Sequence, residues 1–173
     1  MKQIPFCSLN DLTADDFVET LKDIFEHSPW VAERVTDLRP FKSIRMLQQA
    51  MEQAVVAAGV REQLDLINAH PDLAGKAALA GDLTESSTNE QSGAGLDTLS
   101  EEEHSKFHGL NDGYKTRFGF PFILAVKGHD KHSIMEAFER RLENNQDEEH
   151  TEALKQIAEI ARFRLEALLT HDE

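Results

Sequence analysis

The sequence predicts an all-α fold, a single-domain multi-helix bundle over residues 1–173 with one buried extended segment. Three observations lead to this fold class. Apolar residues recur at helical spacing through most of the chain. Hydroxyl residues that can cap a helix precede several of these runs. The only long, nearly apolar stretch, residues 118–126, has no second strand-like stretch with which to pair.

Capping residues mark the helices of the first half. Thr13 begins one helix, Ser28 with Pro29 begins a second, and Ser43 begins a third that Gly59 closes. A short fourth helix then leads to His70. The apolar positions are Phe17, Leu21, Ile24 and Phe25 on one face of the first helix, and Leu47, Met51 and Val55 on the inward face of the third, while Val60, Leu64 and Ile67 mark the short fourth helix.

The second half starts with a polar stretch, residues 75–97, which needs a functional reason to exist in a compact domain. Ser100 and Glu103 form a capping box that begins a helix. The apolar residues 118–126 follow, and we expect them to run as extended chain through the core. Two further helices complete the domain, the last from about residue 147 to 169. The helix after Ser100 has Phe107, Leu110 and Tyr114 inward, the next is marked by Ile134, Phe138 and Leu142, and the last has as its main apolar positions Leu154, Ile157, Ile160, Phe163 and Leu168.

Charge and composition restrict the possible partners and location. A net charge of −14 disfavours binding to nucleic acid, because phosphates would be repelled. No stretch is long and apolar enough to span a membrane, and the first residues have no apolar signal core. A single cysteine, Cys7, excludes an internal disulfide. Together with an ending at 170–173 that is not a peroxisomal signal, these features predict a cytoplasmic protein.

His70 is the first candidate for chemistry. It stands immediately before Pro71, and a residue that precedes proline is disfavoured in a helix, so the helix should stop there. The imidazole would then face a turn. Histidine exchanges protons near neutral pH, so a catalytic role is one interpretation. The alternative is a ring that only caps the helix end.

Two further segments could bind a polar ligand. Ser87 and Glu90 have the spacing of a capping box, so a short helix that begins there would offer free N–H groups to an anion, while Glu90 and Gln91 supply a carboxylate and an amide. The alternative is a solvated loop. Residues 118–126, if unpaired in a sheet, offer backbone N–H and C=O groups; the alternative is simple core filling.

The last helix carries Arg162 and Arg164, and residues two apart point in different directions. At most one of them would face a site, and the alternative for either is an ordinary salt bridge. Metal sites are not predicted. His104 and His108 lack the glutamate that a metalloprotease helix carries, and the charged turn with His129 and His132 is a weak pattern. The absence of a glycine-rich phosphate loop argues against a nucleotide cofactor.

Three motifs together resemble one family. His-Pro-Asp-Leu-Ala at 70–74, Ser-Thr-Asn-Glu-Gln at 87–91 and Gly-Phe-Pro-Phe-Ile at 119–123 are similar to the OHCU decarboxylases. These enzymes act on 2-oxo-4-hydroxy-4-carboxy-5-ureidoimidazoline (OHCU), the late intermediate between urate and allantoin. The resemblance covers nearly the whole chain. It implies an all-α fold, no cofactor, a homodimer, and release of (S)-allantoin and carbon dioxide.

The resemblance also implies roles for individual residues. His70 corresponds to the family's catalytic histidine, Glu90 to its functional acid, and Arg164 to its arginine, with Arg162 as the alternative if the spacing shifts. The residues that the resemblance assigns to substrate binding are Pro71, Ser87, Thr88, Asn89, Glu90, Gln91, Phe122, Ile123, Leu124, Ala125 and Val126.

A mechanism follows as a hypothesis. The ring has a C=N bond beside the carbon that loses carbon dioxide, so it can accept the electron pair itself. His70 would move a proton at the hydroxyl and carboxylate end, and Glu90 would hold His70 or a ring N–H. Gln91 and the backbone near Ile123 and Ala125 would bind the ring and ureido edges. Arg164 would offset the negative charge that develops.

Two other functions fit parts of the sequence. The charge and the helical pattern would suit an acidic interaction module that binds a basic partner. The histidines at 129 and 132 would suit a metal-dependent hydrolase. Neither explains why His70, residues 87–91 and the extended segment occur together.

Overall fold

The computed structural model describes residues 3–171, and its regular secondary structure is almost entirely helical. The prediction of an all-α fold is confirmed. The chain forms two compact units, residues 3–69 with 158–171 and His70–Ile157. The single domain over residues 1–173 stays a prediction. Among the described residues, no helix has the length and apolar character that crossing a bilayer requires.

The first unit consists of short and medium helices. One 3-10 turn, Thr36–Leu38, directly follows the helix that ends at Val35. The elements of this unit, in chain order, are β1 (Ile4–Pro5), α1 (Phe6–Asn10), α2 (Ala14–Leu21), α3 (Trp30–Val35), α4 (Ile44–Val56), α5 (Val60–Asn68), the last part of α10 (Gln146–Leu168) and β2 (Leu169–Thr170).

Two of the three caps predicted for this unit are confirmed. Thr13 Oγ1 accepts from the Asp16 N–H at the start of α2, and Ser43 Oγ accepts from the Met46 N–H at the start of α4. Leu47, Met51 and Val55 face inward, as the spacing requires. The predicted cap at Ser28 is wrong, because that hydroxyl donates to the Glu26 carbonyl and α3 begins after Pro29.

Gly59 does not close α4. The helix ends at Val56, and Gly59 has an extended conformation (φ −65°, ψ 154°) that begins α5. The reason is local: Glu62 accepts from the Gly59 N–H, so this glycine starts the following helix. A second feature escaped prediction. β1 and β2 pair in parallel over two residues, too few to leave an alternating pattern in the sequence.

The second unit is built around one long helix, α8. Ser100 and Glu103 form the predicted capping box at its start. Glu103 also pairs with Lys131 at 2.6 Å, and this hydrogen bond, with the box, lowers the pKa of Glu103 to about 2. The helices of this unit are α6 (Lys76–Ala80), α7 (Glu85–Gly93), α8 (Glu101–Phe118), α9 (Lys131–Arg141) and the first part of α10.

The extended segment runs through the core of the second unit, as predicted. Helix α8 ends at Phe118, and Gly119 takes the left-handed conformation (φ 78°) that turns the chain. Within residues 3–171 the segment joins no sheet, because the only ladder is β1 with β2. Its side chains are buried against α8, where the Tyr114 ring contacts Phe118, Phe120 and Phe122.

Candidate active site

His70 lies just beyond the end of α5, as the proline predicts. The helix ends at Asn68, and the Ala69 N–H donates to the Asp65 carbonyl at 3.0 Å. His70 and Pro71 then leave the helical path. The imidazole is 8% exposed. His70 is therefore an interior residue of this unit and not a surface residue.

The turn that carries His70, residues 70–74, is held by side chains from two other helices. The Ala74 N–H donates to Gln91 Oε1 at 2.9 Å, and Gln91 Nε2 donates to the Asp72 carbonyl at 3.3 Å. From α8, Asn111 Nδ2 donates to the Leu73 carbonyl at 2.9 Å, and Lys115 pairs with Asp72 at 2.6 Å. We call this set of contacts the turn brace.

The turn itself has an unusual backbone that the brace stabilises. Ala74 has a positive φ of 52°, which costs an L-residue energy. The next residue is Gly75, where a Cβ atom would lie 2.7 Å from the Asp72 Cβ. Only glycine fits there without a shift. The strained turn and its braced backbone give His70 a defined position, which a proton-transfer group needs.

Residues 87–91 do not form the anion-binding cup that the sequence predicted. Helix α7 begins earlier, because Thr84 Oγ1 accepts from the Ser87 N–H at 3.2 Å and the Thr84 carbonyl accepts from the Thr88 N–H at 2.9 Å. The predicted residues therefore lie within the helix. The backbone N–H groups of Ser87 and Thr88 already have partners, so they cannot bind an anion.

The side chains of these five residues have different environments. Ser87 and Gln91, four residues apart, are buried on one face, Glu90 is half-buried, and Thr88 and Asn89 are exposed. The Gln91 amide was predicted to bind the ring of the substrate. In the structure its oxygen and its nitrogen both bond the backbone of the turn, so Gln91 positions the turn that carries His70.

The backbone of the extended segment is contacted by two side chains that the sequence analysis missed. Arg141 Nη1 donates to the Ile123 carbonyl, and the Ala125 N–H donates to Gln156 Oε1 at 3.0 Å. The Ala125 N–H is thus occupied in this structure, and the Ile123 carbonyl keeps one lone pair. A ligand would have to use the other groups of this backbone.

Arg141 belongs to a buried ionic network beneath the segment. Its Nε donates to Glu149 Oε1 at 2.9 Å, and the two residues are 4% and 0% exposed. Tyr114 Oη also donates to Glu149 Oε1 at 2.5 Å, and Asn144 Nδ2 donates to Oε2 at 3.0 Å. The spacing did contain a signal, since Arg141 follows Ile134 and Phe138 on one helix face.

Burial, followed by the hydrogen bond to Glu149, raises the pKa of Tyr114 well above its ordinary value of 10.0. The folded state therefore keeps the phenol neutral where the unfolded chain would ionise it. This contribution to stability is complete below pH 10 and is lost as the pH rises above that value. We expect no tyrosinate absorbance while the helical circular dichroism is native.

The single tyrosine of the chain makes this test unambiguous. Ultraviolet absorbance and circular dichroism are followed together in an alkaline titration, with Tyr114→Phe as the blank. A tyrosinate signal with an ordinary midpoint in a chain that is still folded would contradict the buried Tyr114–Glu149 bond.

The two candidate arginines differ in their surroundings. Arg164 is 7% exposed, and its Nη1 contacts Glu26 Oε2 at 2.8 Å and the Asp23 carbonyl at 3.0 Å, all within the first unit. Arg162 pairs with Glu159 and Glu166 along its own helix, with a side chain that is 33% exposed. Of the two, Arg164 is the inward one. His70, Glu90 and residues 122–126 belong to the second unit.

The histidines of the alternative hydrolase do not point to metal chemistry. His129 Nδ1 bonds Ser133 Oγ at 3.0 Å, and His132 lies in the first turn of α9, where its N–H donates to Asp130. Over residues 3–171, no group of three or more His, Cys, Asp or Glu side chains is arranged to hold a metal ion.

Comparisons with known proteins agree with the arrangement of the motifs. A sequence model described as OHCU decarboxylase matches residues 10–166. The 2-oxo-4-hydroxy-4-carboxy-5-ureidoimidazoline decarboxylase of Haloferax volcanii is 41% identical over 165 residues, which are 95% of this chain and 96% of the relative. The uric acid degradation bifunctional protein of Bacillus subtilis is 46% identical over 162 residues, 94% of this chain and 32% of that protein.

A solved structure is similar as well. The crystal structure of an (S)-allantoin synthase superposes with a TM-score of 0.79 at 29% identity. The matched region is 96% of this chain and 54% of that chain.

Proposed function

Because the chain belongs to the OHCU decarboxylase family, we propose that it removes the carboxylate of 2-oxo-4-hydroxy-4-carboxy-5-ureidoimidazoline as carbon dioxide and forms (S)-allantoin. The observation that carries the proposal is the fixed presentation of His70. A nearly buried imidazole stands on a turn whose backbone is bonded by Gln91, Asn111 and, through Asp72, by Lys115. A histidine that only capped a helix would not need this support.

The substrate supplies its own electron sink. Carbon 4 carries both the hydroxyl and the carboxylate, and a ring C=N bond adjoins it. When the bond to the carboxylate breaks, its electron pair forms a double bond between carbons 4 and 5, and the π pair of the C=N bond moves to the nitrogen, which takes a proton. The 4-hydroxyl then loses a proton as it becomes the ring carbonyl, and carbon 5 gains one. The protein has to orient the ring and move these protons.

The residues divide these tasks. His70 acts at the hydroxyl and carboxylate end as the group that transfers a proton. Glu90, half-buried one turn before the end of α7, holds His70 or a ring N–H. Phe122, Ile123, Leu124, Ala125 and Val126 bind the ring through backbone groups, and Pro71 packs beside it. Arg164 offsets the charge that develops, and its buried position favours it over Arg162.

The other members of the predicted set have narrower roles. Ser87 and Gln91, buried on one face of α7, contact the substrate at its polar edge, and Gln91 also positions the turn. Thr88 and Asn89 are exposed, so they bind substrate only at its edge. A homodimer and a cytoplasmic location also remain part of the proposal.

The test is direct turnover. The substrate is short-lived, so it is generated from urate by the two upstream enzymes, and its decay is followed by ultraviolet absorbance while circular dichroism reports the allantoin. We expect the purified chain to accelerate the decay and to give optically active product. Decay at the spontaneous rate, or racemic allantoin, would refute the proposal. Loss of the activity on chelation would favour the hydrolase alternative.

A further inference from the structure

Two side chains bond the backbone of the extended segment at alternate residues. Arg141, at the end of α9, donates to the Ile123 carbonyl, and Gln156, on α10, accepts from the Ala125 N–H. We call Arg141 and Gln156 the segment clamp. They come from different helices of the second unit, so the segment is fixed at two points against two separate elements.

Arg141 is itself held in place. Glu149 accepts from its Nε through both oxygens, at 2.9 and 3.3 Å, and its guanidinium lies 4.4 Å from the centre of the Phe122 ring. A planar guanidinium bound on one edge and stacked on a ring has a defined direction. The position of the Ile123 carbonyl that it binds is therefore fixed as well.

Gln156 has a similar support. Its Nε2 donates to Glu152 Oε1 at 2.8 Å, one turn earlier on α10. This bond orients the amide so that its oxygen faces the Ala125 N–H. Each backbone N–H can donate once, so the clamp determines which groups of residues 122–126 remain for a ligand.

We propose that Arg141 and Gln156 are positioning residues, which hold the backbone of residues 122–126 in the register that a planar ring with N–H and C=O groups requires. This inference rests on the proposed function. Neither residue bonds the substrate in this scheme. Contacts with the ring are made in the ground state and in the transition state alike, so their loss weakens binding more than it slows the reaction.

Gln156 offers the sharper test, because it is half-buried and its replacement spares the ionic network. Gln156→Met removes the acceptor at similar length, whereas Gln156→Glu combined with Glu152→Gln exchanges the two groups and keeps both the bond between them and an oxygen acceptor for the Ala125 N–H. We expect Gln156→Met to raise KM about tenfold, the equivalent of one lost hydrogen bond, with kcat nearly unchanged. The exchanged pair, Gln156→Glu with Glu152→Gln, should restore the wild-type KM. Lys155→Met, an exposed neighbour on α10, is the matched control.

Arg141→Lys tests the second point of the clamp. Lysine keeps the charge beside Glu149 but cannot present two donors from one plane. We expect the same rise in KM, while Arg140→Lys, at the exposed neighbouring position, leaves KM unchanged. Hydrogen exchange provides a readout without substrate, because the Ala125 amide should lose protection in Gln156→Met.

The outcomes separate the two proposals. A wild-type chain without turnover would refute the proposed function. Wild-type turnover together with an unchanged KM in a folded Gln156→Met variant would refute only the positioning role. A lower melting temperature with unchanged KM would also count against the clamp, because a merely structural residue gives that result.

Discussion

His70→Gln is expected to lower kcat by about 10²–10⁴-fold, the usual contribution of a general acid or base. Glutamine is close to histidine in size and still forms hydrogen bonds, but it cannot exchange a proton near neutral pH. The turn brace bonds backbone groups of residues 72–74, and the side chain of Asp72, so the backbone at residue 70 should keep its position. The measurement is kcat with in situ substrate, together with the melting temperature.

The matched control is His108→Gln. His108 lies in the same unit on α8, its side chain is 62% exposed, and it contacts Asp112 at the surface. This variant should retain full activity. A His70→Gln enzyme that kept wild-type, stereospecific turnover would remove His70 from the mechanism, and the helix-cap interpretation would then stand.

Glu149→Leu is expected to lower the free energy of unfolding by about 3–5 kcal/mol, because it leaves the Arg141 charge buried without a counter-ion. Arg141 is 4% exposed, and Tyr114 and Asn144 lose the same acceptor. The measurement is chemical denaturation followed by circular dichroism. The control is Glu166→Leu, whose exposed pair with Arg162 should contribute less than about 1 kcal/mol.

The double variant Arg141→Met with Glu149→Leu separates the contribution of the ion pair to stability from that of side-chain packing. Replacement of both charges by apolar side chains removes the uncompensated guanidinium, so the double variant should be more stable than Glu149→Leu alone. If the effects of the two substitutions simply added, the two residues would not be coupled, and the network would be wrong.

Prediction from the sequence succeeded where structure depends on neighbours along the chain. Thr13, Ser43 and Ser100 each cap the helix that follows, because a hydroxyl oxygen reaches an N–H two or three residues away. The end of α5 before Pro71 has an equally local cause. Residues 120–126 proved to be buried extended chain because a run of mostly apolar residues cannot remain in solvent, while Phe118 still belongs to α8 and Gly119 turns the chain.

Prediction from neighbouring residues was wrong where two residues could each cap the same helix. Thr84 and Ser87 both have cap chemistry and stand three residues apart, and helix α7 begins at the first of them. The Thr84 hydroxyl and carbonyl then accept from the Ser87 and Thr88 N–H groups, which the alternative start would have left free. The spacing of these residues in the sequence could not show at which of the two caps helix α7 would begin.

For the arginines, helical periodicity predicts which side chains face inward but not which partners they bind. Arg164 follows Ile157 by seven residues and Arg141 follows Ile134 by seven, so each shares a helix face with buried apolar residues, whereas Arg162 does not. The sequence therefore contained the information that Arg141 and Arg164 face inward. It did not contain their partners, because 32 acidic residues could have supplied them.

The sequence by itself determined where α2, α4 and α8 begin and where α5 ends, which residues are apolar enough to be buried, and the three motifs that mark its family. These properties depend on short-range sterics and on transfer from water, which act wherever the residues occur. The tertiary structure decided that Lys115 meets Asp72, that Arg141 meets Glu149 and Ile123, and that Gln156 meets Ala125. A hydrogen bond needs its two atoms within about 3 Å, and only the packing of distant segments brings them there.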